Sequence, residues 1–60
     1  MTETQIMEWM RNKVKKEGFT DAANLANGFL QDHDISDPLD PDFSRTLDAG
    51  FKVAMEIDNS

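Results

Sequence analysis

The sequence predicts an all-α protein: a small three-helix bundle in one domain, residues 1–60, with helices over about 3–17, 21–32 and 41–57. Three observations predict it. Apolar residues recur at three- and four-residue spacings in three separate stretches. Each stretch opens on a residue that caps helices well. Nothing alternates with period two over a useful length, so strands are not expected.

The first helix starts at Thr2. Thr2-Glu3-Thr4-Gln5 has the form of a capping box, with Gln5 placed to reach back to the cap. Ile6, Met10 and Val14 form its stripe, flanked by Met7 and Trp9, an arc of about 160° at 100° per residue. Glu8, Arg11, Asn12, Lys15 and Lys16 lie on the other side or at its edges. Lys15 and Lys16 suit the negative end of the helix dipole. Gly18 supplies a left-handed stop, with Phe19 as the hydrophobic contact that accompanies such a stop.

The second helix follows at once, with Thr20 as N-cap and Asp21 in the first turn. Ala22, Leu25, Ala26, Phe29 and Leu30 form a continuous stripe, while Asn24, Asn27 and Gln31 face away. Asn27-Gly28 ordinarily signals a turn. Phe29 and Leu30 stay in helical phase, however, and an interior glycine costs only about 1 kcal/mol relative to alanine. The helix is therefore expected to run through to Asp32 or His33.

The third helix is the most clearly signalled. Asp40 is a natural N-cap, Pro41 fits the first helical position and Asp42 complements the dipole. Phe43, Leu47, Gly50, Ala54 and Ile57 form its expected central stripe, with Val53 on one flank and Phe51 and Met55 on the other. This arc of about 200° is wider than one core face requires. Asp58-Asn59-Ser60 is expected to fray.

Sixty residues without cysteine make a small scaffold that no disulfide can staple. One histidine is too few nitrogen ligands for a zinc site. Helix packing, self-association or a partner must supply the stability. The longest apolar runs are two or three residues, so no membrane span is expected. MTETQIMEWM lacks the basic start and apolar stretch of a signal peptide, which predicts a cytoplasmic protein. A compact, acidic, cysteine-free chain of this style suits a bacterial or phage accessory protein.

The formal net charge is −6, the wrong sign for holding phosphates or anionic membranes. A basic protein is the partner electrostatics favours. The charge is also polarised. Residues 1–18 carry net +1 and residues 19–60 net −7. This pattern suits attraction within one monomer, self-association, or capture of a basic partner by the acidic end.

The segment DHDISDPLDPD, residues 32–42, holds five aspartates, two prolines and the only histidine. As a calcium loop counted from Asp32, it places Asp37 where an EF-hand needs glycine and Phe43 where it needs a bidentate glutamate. Weak calcium binding by Asp32, Asp34, Asp37 and Asp40 is the non-standard alternative. Aspartates beside prolines also build turns and caps, which accounts for all but Asp34 and Asp37. His33, between two carboxylates, is a candidate pH-sensitive group.

No nucleophile–base constellation and no phosphate loop is present, so no enzyme activity and no cofactor are expected. A helix-turn-helix reading of the first two helices places Asn24, Asn27 and Gln31 on the reading face. It fails on a second helix with no Lys or Arg for phosphates, so no direct nucleic-acid binding is expected. Gly18-Phe19, between the first two of three helices, resembles the Gly-Phe loop of ubiquitin-associated domains over that dipeptide alone. Glu17 and the long second loop depart from that pattern.

The function expected is non-catalytic: a protein-interaction or regulatory module that self-associates or docks on a protein partner. The alternative is an acidic inhibitor that imitates nucleic acid on a DNA- or RNA-binding protein. The candidate partner-binding residues are Trp9, Asp34, Asp37, Asp48, Val53 and Met55. Val53 and Met55 enter because they sit at the edges of the widest apolar arc.

Overall fold

A computed structural model describes residues 1–59. Among them are three helices, α1 (Glu3–Glu17), α2 (Ala22–Asp32) and α3 (Pro41–Asp58), and no strand. They pack as the expected all-α three-helix bundle. α3 packs extensively against both other helices, whereas α1 and α2 touch each other less.

Local signals set the helix ends. The capping box forms: the Gln5 N–H donates to Thr2 Oγ1 at 3.3 Å, and the Thr2 N–H donates to Gln5 Oε1 at 2.9 Å. Gly18 closes α1 with φ +72°, and its N–H donates to the Val14 carbonyl. The N-cap of α2 is Asp21 rather than Thr20, with its carboxylate accepting from the Ala23 N–H at 3.0 Å. Helix α2 therefore begins one residue later than expected, at Ala22, because aspartate caps somewhat better than threonine. Asp40 caps α3 through the Asp42 N–H at 2.9 Å, with Pro41 in the first turn. Asp58 is the last helical residue and Asn59 the C-cap. Ser60 of the expected fraying end lies outside the described residues.

The core joins Ile6 and Met10 of α1, Leu25 and Phe29 of α2, and Ala49 and Val53 of α3. Trp9, Phe19 and Ile35 pack around it, half-buried. Trp9 meets the Phe29 ring edge-on at 5.2 Å, and His33 stacks on the same Phe29 ring at 4.0 Å. The His33 ring also approaches the Phe29 carbonyl oxygen, with Nδ1 at 3.1 Å. A carbonyl only accepts, so the proton in that bond sits on Nδ1.

Helix α3 is rotated relative to its expected stripe. Its buried residues are Thr46, Ala49, Gly50 and Val53, while Leu47 is 41%, Phe51 65% and Met55 61% exposed. The physical reason is the close approach of α2. A Cβ on Gly50 would sit 3.0 Å from the Ala22 carbonyl oxygen and 3.5 Å from the Ala26 Cβ. Only the small-residue side of α3 lets the two backbones come so near. Thr46 can join this side because its Oγ1–H donates to the Asp42 carbonyl at 2.6 Å, leaving no bare polar group.

Two ion pairs tie α1 to α3. Arg11 makes a fork with Glu56, through Nε at 2.9 Å and Nη2 at 2.7 Å. Lys52 donates to Glu3. Hydrogen bonding from Arg11 holds the Glu56 carboxyl below the usual carboxylate range, against a smaller opposing effect of burial. Arg11 is raised by the same bond, and the Lys52 ammonium is raised by its bond to Glu3.

Candidate functional site

The exposed apolar residues of α3 fall in a line. Leu47, Phe51 and Met55 are spaced four residues apart, so they stack on one face over about 12 Å of helix. Beside them runs a groove of about 270 Å³ between α2 and α3, walled by Ala22, Ala23, Ala26, Leu47 and Phe51. The small residues that let the helices cross closely also make its floor low. The large side chains next to them project outward and form its walls. The groove continues past Ala54 and Met55 toward the end of α3.

Acidic side chains border this surface. Asp21 stands at the α2 side and Asp58 at the far end. Asp48 is exposed on α3 next to Leu47, one helical turn before Phe51 and Lys52. No base lines either part of the groove. Among the described residues Asp48 and Asp58 make no ion pair or side-chain hydrogen bond. The nearby cations Arg45 and Lys52 are already engaged, with Asp42 and Glu3.

The six sequence-derived candidates do not converge. Asp48 and Met55 share the α3 face. Val53 is corrected: at 1% exposure it belongs to the core, where no partner reaches it. Trp9 is half-buried on the α1–α2 side, with the Lys13 ammonium 5.3 Å above its ring. Asp34 and Asp37 lie in the loop between α2 and α3.

These two aspartates do have structural duties, contrary to expectation. The Ile35 N–H donates to the Leu30 carbonyl at 2.8 Å and the Asp34 N–H to the Gln31 carbonyl at 3.3 Å. Asp34 itself has φ +57°. This is a Schellman termination of α2 with aspartate at the left-handed position where glycine is usual. Ile35 supplies the accompanying hydrophobic contact against the core. Asp37 accepts the Leu39 N–H at 2.9 Å, and its carbonyl accepts the Asp40 N–H at 3.0 Å. It thereby builds the turn Asp37-Pro38-Leu39-Asp40. Asp32, Asp34, Asp37 and Asp40 are not gathered: among the described residues no three or more His, Cys, Asp or Glu side chains are placed to hold a metal.

Sequence reasoning missed Leu47 as a surface residue, because it puts Leu47 in the central stripe of α3; Phe51, read there as a flank of the arc and a possible partner face with Val53 and Met55, is exposed. The signal was present as a second stripe, Thr46-Ala49-Gly50-Val53, at the spacing of a buried face. Hydrophobicity alone undervalues such small residues.

No protein-family description, curated protein or solved structure matches the chain. Among the described residues no helix is long and apolar enough to cross a membrane.

Proposed function

We propose that the chain is a non-catalytic, cytoplasmic protein-interaction module whose docking face is the outer stripe of α3 together with the groove against α2. The observation that carries this reading is the exposure of Leu47, Phe51 and Met55 as one continuous stripe. Single exposed apolar residues are ordinary on protein surfaces, whereas contiguous ones mark contact sites. Burying one such side chain contributes about 1.5–3 kcal/mol, and a chain of this size has little stability to forgo. A face left in water under those conditions is one that a partner covers.

The nucleic-acid-mimic alternative draws on the same acidic half of the chain. Asp21, Asp37 and Asp40 turn their carboxylates back onto their own backbone. Asp42 is shared with Arg45 and the N-terminal ammonium. Few of the acids stand free in a row as phosphates do, so the apolar face is the stronger support.

The test compares wild type with a Phe51→Ser/Met55→Ser double variant. Both changes are at exposed positions, so circular dichroism should show an unchanged fold. The variant is expected to lose what wild type retains in a pulldown from the source cells, at low and high salt alike. Wild type that sediments as a monomer at high concentration, and retains nothing the variant does not, sinks the reading.

A further inference from the structure

Resting on the docking face proposed above, we infer that its occupant is a cationic amphipathic helix from another protein, with apolar residues on Leu47, Phe51 and Met55 and Lys or Arg toward Asp48 and Asp58. Four observations lead there. The stripe is about two helical turns long, the span of apolar side chains at positions i, i+4 and i+7 of a second helix. Its two ends carry Asp48 and Asp58: Asp58 has no cation partner among the described residues, and Asp48 has only the through-space attraction of Lys52, whose ammonium is bonded to Glu3. The bases nearest to it, Arg45 and Lys52, are spent on Asp42 and Glu3. Asp58 also sits in the last turn of α3, which contains no base. There the helix dipole is negative and a carboxylate is disfavoured until a cation approaches.

A second copy of this chain fits less well. It would bring the same acidic ends to the interface, and two chains of net charge −6 repel. A cationic helix instead neutralises both ends while filling the groove between Ala26 and Phe51.

The probe is a synthetic helical peptide of about 18 residues, with leucines at i, i+4 and i+7 and lysines on both flanks. Its counterpart carries glutamates in place of the lysines. Each is titrated into the isotopically labelled full chain by NMR and by calorimetry. The lysine peptide is expected to shift the resonances of α3's outer face and the first half of α2, and the glutamate peptide is not. Phe51→Ser should weaken the lysine peptide about tenfold or more, and Asp48→Asn should flatten the dependence of affinity on salt. Asp58→Asn should raise the melting temperature and weaken the peptide together, a pairing that a merely structural carboxylate does not produce.

Equal binding of both peptides, or self-association that strengthens with added salt and occupies the face, overturns the inference while leaving the docking face standing. Shifts centred on residues 32–42, or affinity unaltered by Phe51→Ser, overturn both. If neither peptide binds and the chain stays monomeric, both fail as well.

Discussion

Asp34 holds a backbone conformation that a side chain resists. Its φ of +57° is the geometry glycine adopts freely. Asp34→Gly relieves that strain, partly offset by the freedom glycine adds to the unfolded chain. We expect it to stabilise the protein by about 0.5–1 kcal/mol, read as a higher urea midpoint at an unchanged slope. A lower midpoint would mean that the carboxylate has a duty beyond the turn. Asp37 differs, because its side chain is the acceptor for the Leu39 N–H. Asp37→Ala is expected to cost about 1 kcal/mol. Read from sequence, both residues looked idle. Their roles depend on where α2 ends, and helix ends are the least legible feature of a helical pattern.

At the level of the helix, two glycines in similar settings should respond oppositely to the same substitution. A Cβ at Gly28 would meet Trp9 and Phe19 at 3.6 and 3.7 Å, ordinary contact distances. Gly28→Ala is therefore expected to stabilise by about 1 kcal/mol. At Gly50 the nearest atom is a backbone oxygen at 3.0 Å. Gly50→Ala must push α3 away from α2, at an expected loss of about 1–3 kcal/mol. Thermal denaturation of the pair checks both signs. The sequence revealed that Gly28 lies inside a helix, because Phe29 and Leu30 keep the phase. It also showed that α3 has more apolar arc than one core needs. Which part of the arc would face inward was not legible, because close packing of α2 and α3 selects small residues over greasy ones.

For the molecule as a whole, the Arg11–Glu56 fork couples folding to acidity. The folded Glu56 carboxyl lies below its ordinary value of 4.5. Its contribution is therefore present above that value and is lost as pH falls through the lowered one. Between about pH 5 and 3 the wild-type melting temperature should fall more steeply than that of Glu56→Gln. Parallel slopes would show that the fork adds nothing in solution. The core sets a harder limit. Phe29→Ala, at a site buried against Trp9 and His33, is expected to cost about 3–5 kcal/mol. A chain of this length has a total stability of about 3–9 kcal/mol. The variant should lose much of its helical circular dichroism at 37 °C. Three helices and most of the buried set of α1 and α2 could be read from spacing and caps. The α3 face could not, because it depends on how the helices meet.

The placement of Trp9 also has a spectroscopic consequence. The chain has one tryptophan and no tyrosine, so its near-ultraviolet emission comes almost wholly from a single indole. That ring rests on Phe29 and His33 and lines neither part of the α2–α3 groove. Its fluorescence is thus an intrinsic gauge of whether the bundle is assembled, with no label attached. A ligand free of aromatic residues can be added to the opposite flank of α2 without touching the reporter. Unfolding curves taken with and without that ligand then give the binding free energy from the stability shift alone.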